Sequence, residues 1–530
     1  MAIHSKRPGH GKTLAAMYFH RQQRGIMTST LSLPHAIKAL AFGLCGLHAS
    51  LALAAAPQNP WAAMARADAD FINDWIERQS ISAVYPANGD FNAKLATARR
   101  TFDAESMRVD SYAGYRHALG HFVGSLQDLH LVLRHTLTPS TYQWPGFMAA
   151  YRGGRYLVAT QGSELAGQEI KQCDGQPMDA LVGRVATYEQ LIAGVESTKV
   201  RAAPLVFRDA GSPFVPRPRS CRIGGRDVAL DWQTVAASRF AADMRSAIAF
   251  TDRVTGVTPF GADGSWVRMG IFHMQTQAEG KAFKQLMADA PALRDKSVIV
   301  LDVRGNGGGS YEWFMGFLRA LYGKEYADYH ARSRLEISHV YRTTPEIMAF
   351  FAADKAAETG ELIPPVDGKV FDKGYVKYRQ AVEAGKTVFV TPPNARGIPK
   401  PAREPVNPVK ARVLLLTDYN CASACMVFVD ELKRFPGVEQ VGVETSVDSR
   451  TGTGFGAPLP SKNGVIEVPV VTRDGRERGD NIPHRPSRVF SGNIFDTAAV
   501  KAWISEEILG GKAEARHDRT GLHPSSAAGK

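Results

Sequence analysis

The stretch Ser297–Gly323, SVIVLDVRGNGGGSYEWFMGFLRALYG, decides the fold. It begins with an apolar, β-branched run, which predicts a buried strand. The run ends in Arg304–Gly309, where four of the six residues are glycine. Such a backbone can adopt positive φ or let another group come close. Because the residues Tyr311–Leu321 then predict a helix, several backbone N–H groups are directed to one point, which suits an anion.

The anion could be a phosphate or the oxyanion of an acyl-transfer intermediate. The turn lacks the Lys-Ser/Thr pair that ends a P-loop, and Gly305, Gly307 and Gly308 do not have the spacing of a dinucleotide site. These departures favour the oxyanion. A tight turn that binds nothing is the remaining alternative for this stretch taken alone.

Composition indicates a large globular protein. The chain has 530 residues, of which 44% are hydrophobic and 22% charged, so it can bury a large core and is expected to hold more than one domain. The formal net charge is +12, but the basic residues are scattered and form no run interleaved with aromatic residues. We therefore expect no nucleic-acid partner.

Residues 1–56 have the pattern of a targeting segment. The apolar run Ala39–Leu53 follows a lysine and is followed by small residues that fit a cleavage site. The run is too short to span a bilayer as a mature helix. The sequence therefore predicts a cleaved signal, a periplasmic or extracellular protein, and no stable membrane span after cleavage.

Periodicity and composition divide the rest of the chain into four regions. They are a helical segment (57–135), a β-rich domain (136–235), an α/β core (236–510) and a polar tail expected to be disordered (511–530). Within the core, residues 331–410 are expected to be a long, irregular insertion that ends in a proline-rich loop.

The cysteines suggest two disulfides. Removal of Cys45 with the signal leaves four cysteines in a compartment expected to be oxidising. We favour the pairs Cys173–Cys221 and Cys421–Cys425, because each falls within one region. Free buried thiols are an alternative. A zinc site is disfavoured because neither pair has a second C-x-x-C nearby, and no metal or other cofactor is predicted.

A second strand-to-helix turn carries a candidate nucleophile. Ala411–Leu416 predicts another buried strand, which leads into the residues CASAC and a further helix. Ser423 lies between two alanines in this turn, so its hydroxyl is accessible, and the helix N-terminus beside it favours developing negative charge. The amide of Ala424 is a candidate oxyanion donor. The turn containing Gly307 and Gly308 is expected to supply the other donor.

Three stretches, VIVLDVRGNGGG, LLLTDYNCASACMVFVDEL and VGVETS, resemble in order the signatures of the C-terminal-processing (tail-specific) and tricorn-core serine peptidases. The resemblance implies an α/β fold with a crotonase/ClpP-like catalytic core, in which Ser423 is the nucleophile and backbone amides form the oxyanion hole. Residues 162–178, GSELAGQEIKQCDGQPM, resemble the core of a PDZ domain, whose groove binds an extended peptide by strand addition.

The resemblance also bears on how the serine is activated. Processing proteases have a lysine twenty-five residues after the serine, where this chain has Asp448. The tricorn-like branch uses a histidine from the N-terminal segment and a glutamate after the serine. The positions that match are His130, as general base, and Glu477, as the orienting acid, with Asp480 as a competitor for that role.

One residue departs from the tricorn-like pattern, in which a serine precedes the histidine. Here Leu129 occupies that position, so another group must orient the imidazole, and Asp128 is a candidate.

The sequence thus predicts an exported serine peptidase that acts on polypeptides. The alternatives are a non-catalytic peptide- or ligand-binding member of the same fold, and an esterase that uses the same serine.

Overall fold

A computed structural model describes residues 59–85, 89–160, 162–248, 254–332, 336–359, 373–393 and 401–510. The predicted targeting segment 1–56 and the predicted tail 511–530 lie outside these residues. Within the described ranges, no helix combines the length and the apolar character needed to cross a membrane.

The α-helices of the described residues, in chain order, are α1 (Pro60–Gln79), α2 (Phe91–Ser106), α3 (Tyr112–Gly124), α4 (Met178–Tyr188), α5 (Glu196–Ala202), α6 (Ala237–Ile248), α7 (Gln277–Asp289), α8 (Tyr311–Tyr322), α9 (Lys324–His330), α10 (Pro345–Thr359), α11 (Lys373–Glu383), α12 (Ala424–Leu432) and α13 (Thr497–Trp503).

The strands of the same residues are β1 (Val132–His135), β2 (Thr141–Trp144), β3 (Ala149–Arg152), β4 (Arg155–Val158), β5 (Ile170–Cys173), β6 (Gln176–Pro177), β7 (Ser220–Ile223), β8 (Arg226–Ala229), β9 (Gln233–Ala236), β10 (Thr255–Phe260), β11 (Gly264–Met269), β12 (Val298–Asp302), β13 (Ser338–Arg342), β14 (Val388–Thr391), β15 (Arg412–Thr417), β16 (Val438–Gly442), β17 (Thr451–Pro458), β18 (Gly464–Asp474) and β19 (Arg488–Val489).

The central sheet confirms the predicted α/β fold. Its six strands have the order β10-β11-β12-β15-β16-β19, and the pairs from β11 to β19 are parallel. The residues of β12 are fully buried, as expected for a strand covered on both faces. In the register of β12 and β15, Asp302 lies opposite Leu416. The turns that follow these strands therefore start side by side at the same edge of the sheet.

The N-terminal helices end earlier than the sequence suggested. The helices α1, α2 and α3 share one apolar cluster that includes Phe102 and Phe122, in agreement with the predicted helical pattern. The sequence predicts a helical segment up to residue 135, but α3 ends at Gly124, and β1 pairs antiparallel with β18, more than 300 residues further along the chain. His130 consequently lies in a turn that precedes a strand.

The insertion 331–410 is more regular than predicted. Its strand β13 pairs with both β14 and β18, and so extends the second, five-stranded sheet. The helices α10 and α11 pack on this sheet through Ile347 and Tyr378. The strand pairing joins residues that are distant in sequence, so the local pattern of residues 338–342 gave no sign of it.

The β-rich region consists of three small sheets. β2 pairs with β9, β3 pairs with β4, and β5 lies between β6 and β7 in a sheet completed by β8. The disulfide Cys173–Cys221 crosses from β5 to β7, with a distance of 1.94 Å between the Sγ atoms. It therefore joins two neighbouring strands of this region.

A buried ion pair anchors the glycine turn to the sheet. The side chains of Arg304 and Asp302 are both fully buried, and Arg304 Nη2 lies 2.8 Å from Asp302 Oδ2. Arg304 also donates to the carbonyl of Ile494 and to Thr497 Oγ1 at the start of α13. One side chain thus ties the end of β12 to the C-terminal helix.

We predict that Arg304→Met lowers the free energy of unfolding by about 3–5 kcal/mol, because it removes the guanidinium that binds both oxygens of the buried Asp302 carboxylate and leaves the more distant guanidinium of Arg268, 3.6 Å away. Urea unfolding measures this change. The matched control is Arg319→Met, which removes the partially exposed Arg319–Asp328 pair and should cost less than about 1 kcal/mol. Equal losses in the two variants would contradict the prediction.

Candidate active site

Ser423 lies on a strained turn between β15 and α12. Its φ and ψ are 53° and −121°, a backbone conformation that costs a non-glycine residue about 1–3 kcal/mol and that occurs at functional sites. Its side chain is exposed, and α12 begins at the next residue, Ala424. The turn thus presents a serine hydroxyl to solvent at the N-terminus of a helix.

A disulfide brackets this turn. Cys421 and Cys425 are joined, with 1.98 Å between their Sγ atoms and 5.3 Å between their Cα atoms. Both side chains are fully buried, and the amide of Cys425 donates to the carbonyl of Ala422. This link is possible because the helix starts after Ser423 and leaves Cys421 outside it.

The glycine turn and the serine turn are in direct contact. At Gly308, where φ is 104°, an added Cβ would lie 2.8 Å from Ser423 Cβ and 2.9 Å from the amide nitrogen of Ala424. The amide of Ala422 also donates to the carbonyl of Asn306. The two turns that the sequence analysis singled out therefore form one site, and only glycine fits at their contact.

The amides at this contact differ in their partners. Gly308 donates its N–H to Asn306 Oδ1 at 2.9 Å, so this donor is engaged within its own turn. The amides of Gly307 and Ala424 have no hydrogen-bond partner among the described residues. Two of the three amides considered in the sequence analysis are thus available to a ligand.

The buried carboxylate of Asp418 is hydrogen-bonded to both turns. Asp418 Oδ1 accepts hydrogen bonds from the amide of Gly305, in the glycine turn, and from the amide of Asn420, just before Cys421. Burial raises the pKa of Asp418. Sequence analysis did not identify this residue, because an aspartate after a buried strand has no distinctive pattern.

His130 is held by a network of hydroxyl groups and one carboxylate. Its Nδ1 lies 3.0 Å from Ser449 Oγ and 3.4 Å from Thr451 Oγ1. Both hydroxyls donate to Asp128, Ser449 at 2.7 Å and Thr451 at 2.8 Å, so the Ser449 oxygen is left to accept from an N–H at Nδ1. This arrangement favours the tautomer in which His130 Nε2 is unprotonated and can act as a base.

The surroundings of His130 also set its pKa. Burial lowers the pKa of His130 below its ordinary value, and the nearby carboxylate of Asp128, 4.0 Å from Nδ1, partly opposes this effect. The neutral imidazole, which is the form able to accept a proton, is therefore favoured at neutral pH.

The residues 444–449, which we call the junction loop, contact both halves of the candidate site. The amide of Ser446 donates to the carbonyl of Cys421 at 3.0 Å. Three residues later, Ser449 contacts His130. The loop thus links the turn that carries His130 to the serine turn. Ser446 ends the stretch VGVETS that carries the family resemblance, although the sequence assigned it no role, and Ser449 lies in no recognised motif.

The structure does not place the predicted orienting acid, Glu477, beside His130. Its side chain is 78% exposed, and its Oε2 lies 2.9 Å from Arg434, beyond the end of α12. The competitor Asp480 binds the backbone and side chain of Arg450. Sequence spacing could not detect this, since the register after β18 depends on how the turn at Gly475 folds.

Asp448, at the position where processing proteases have a lysine, is part of a buried charge cluster. Its Oδ1 accepts from Arg478 at 2.5 Å and from Arg476 at 2.9 Å. Although burial alone would raise the pKa of Asp448, the two guanidinium groups hold it below its ordinary value. Arg478 also pairs with Asp430 on α12, so the cluster braces the helix that follows the serine.

Comparison with known proteins bears on the family resemblance found in the sequence. Residues 266–473 match the family model of peptidase family S41. This match confirms the resemblance of that segment to the C-terminal-processing and tricorn-core serine peptidases. No curated protein matches the chain.

Solved structures are similar to this chain in fold. Mature CPAF complexed with lactacystin has 14% sequence identity and a TM-score of 0.58, over 87% of this chain and 100% of that chain. A second structure of mature CPAF has 14% identity and a TM-score of 0.55, over 87% and 99%. At this identity the likeness shows the fold alone.

We predict that Gly308→Ala destabilises the protein by about 1–3 kcal/mol more than Gly323→Ala, because its methyl group would overlap the serine turn. Gly323 is the matched control: it also has a positive φ, 76°, but nothing lies within 4 Å of an added Cβ. Urea unfolding of both variants measures the difference. Indistinguishable unfolding curves would show that the two turns can separate without cost.

Proposed function

We propose that this protein is an exported serine peptidase in which Ser423 is the nucleophile and His130 the general base. The observation that carries the proposal is the contact at Gly308, which brings the glycine turn to the amide of Ala424 and to an exposed serine on a strained turn. An accessible hydroxyl beside free backbone donors is the arrangement that acyl transfer requires.

In the proposed mechanism, His130 Nε2 takes the proton of Ser423 as its Oγ attacks the carbonyl carbon of a peptide bond. The amides of Ala424 and Gly307 stabilise the resulting oxyanion. His130 then gives the proton to the leaving amine, and a water molecule activated by the same imidazole hydrolyses the acyl-enzyme.

The role of orienting acid falls to Asp128 in this proposal, and not to Glu477. Asp128 is connected to Nδ1 of His130 through the hydroxyls of Ser449 and Thr451, and its carboxylate stabilises the imidazolium that forms during proton transfer. Glu477 forms an exposed ion pair with Arg434, and such a surface pair is expected to contribute little to stability and nothing to the orientation of His130.

Export is supported by two features. The predicted targeting segment and the two disulfides, Cys173–Cys221 and Cys421–Cys425, both fit an oxidising compartment outside the cytoplasm. Polypeptides are the proposed substrates because residues 266–473 match a peptidase family.

Labelling with a fluorophosphonate probe tests the proposed nucleophile and base. We expect wild-type protein to be labelled, Ser423→Ala to be unlabelled, and His130→Ala to react about 100-fold or more slowly, since general-base catalysis contributes on this scale. Glu477→Gln is the matched control and should react at the wild-type rate. A folded wild-type protein that is never labelled would favour the non-catalytic scaffold. Hydrolysis of esters without hydrolysis of peptides would indicate the esterase.

The pH dependence of kcat/KM tests the role of His130. Because burial lowers its pKa, the imidazole loses its proton at a lower pH than a free histidine. We therefore expect activity to fall on acidification only below pH 6.5, the ordinary value for histidine. Asp128→Asn removes a charge that raises the pKa of His130. The acid limb of kcat/KM of this variant should therefore move to a still lower pH, and its maximal kcat/KM should decrease. An acid limb at or above pH 6.5 in the wild type would contradict a lowered pKa of His130, and an acid limb that Asp128→Asn does not move would contradict its assignment to His130.

A further inference from the structure

The space between β3 and α4, the helix that follows the predicted PDZ-like stretch 162–178, forms a groove that is filled by the protein's own chain. Residues 196–209, which we call the groove segment, comprise α5, a short 3-10 turn (Ala203–Phe207) and Arg208–Asp209. The 3-10 turn packs against β3 and α4. Ala203 and Phe207 are fully buried, and the ring of Phe207 lies 5.0 Å from that of Phe147, two residues before β3.

The C-terminal end of the groove segment is paired to the sheet. The backbones of Asp209 and Gln143 exchange two hydrogen bonds, each of 2.9 Å, as an antiparallel bridge. The segment therefore ends beside β2, just before the loop that leads into β3. An extended peptide added antiparallel at this edge would occupy the same position.

The N-terminal end of the groove segment contacts the junction loop. The amide of Glu196 donates to Glu444 Oε1 at 2.6 Å, and Arg201 Nη2 lies 3.4 Å from Ser446 Oγ. Just before α5, Val195 packs with Val447 in a small buried cluster that Leu129 also contacts. One segment thus joins the groove to the loop that holds His130.

We propose that the groove segment is a tethered ligand: it occupies the peptide groove of the β-rich region and, through α5, fixes the junction loop that orients His130. It follows that substrate does not enter by strand addition at the edge of β2 that Asp209 occupies, and that Phe207 is a positioning residue for the active site. The effect on catalysis rests on the function proposed above, whereas occupation of the groove can be tested without it.

Binding of a fluorescent peptide, Ala-Pro-Leu-Val-Phe-Arg-Asp (residues 203–209), tests the groove. The full-length Phe207→Ala variant should bind it with a Kd at least tenfold lower than that of the wild type, whose groove is occupied. The matched control is Phe214→Ala, which removes a buried ring outside the groove segment that stacks on Tyr188, the last residue of α4. Binding by the wild type as tight as that of Phe207→Ala, or no binding by the folded variant, would overturn the proposal.

The coupling to the active site is tested with the same variant. Phe207→Ala should react with the fluorophosphonate probe at least tenfold more slowly than the wild type, and saturating peptide should restore the rate. A peptide with Asp in place of Phe should not restore it. An unchanged rate, or a slow rate that the peptide does not restore, would overturn the coupling. An unlabelled wild type would instead refute the proposed function and leave the binding test valid.

A crosslink keeps the proposal testable if Phe207→Ala does not fold. Gln143→Cys combined with Asp209→Cys places two cysteines on a hydrogen-bonded antiparallel pair, within disulfide reach at about 5.5 Å between Cα atoms. The crosslinked protein should hydrolyse an extended peptide within twofold of the single variant Gln143→Cys. A loss of tenfold or more on crosslinking would show that substrate needs an open groove, and the tethered-ligand proposal would fall.

Discussion

The approach of two backbone turns, with Gly308 against Ser423, is the constraint on which the rest of the site depends. The separation leaves no room for a side chain at position 308, and it holds the amide of Ala424 next to the glycine turn. In the proposed mechanism, backbone donors held in this way are oriented before the oxyanion forms, so little reorganisation is needed during the reaction. The contact exists because β12 and β15 are neighbours in a parallel sheet and end in register.

Buried charge keeps these turns in position. Arg304 and Asp302 form a fully buried ion pair at the start of the glycine turn. Asp418 accepts hydrogen bonds from backbone amides of both turns. Charges in such surroundings are costly unless every partner is in place, so the native arrangement is strongly preferred over alternatives that separate them. The disulfide Cys421–Cys425 adds a covalent limit on the serine turn. The strain at Ser423 is therefore sustained by several independent contacts.

The junction loop connects elements that are far apart in sequence. It binds the carbonyl of Cys421, supplies the hydroxyl that faces His130 and receives the groove segment at Glu444. The carboxylate of Asp128, two residues before His130, is connected to the imidazole through the hydroxyl of Ser449. Glu477, the glutamate that the family resemblance suggested, is exposed to solvent. The proposed base, His130, thus contacts a loop that in turn contacts the β-rich region.

Local sequence determined the two strand-turn-helix units, because apolar runs, glycines and helix patterns act over a few residues. It was enough to identify Ser423, the glycine turn and the cysteine pairs. Tertiary structure decided the partner of His130, the strand pairing of the insertion 331–410 and the occupation of the groove by residues 203–207. Each of these joins segments distant along the chain, and their contact depends on sheet register and side-chain packing, which no local pattern specifies.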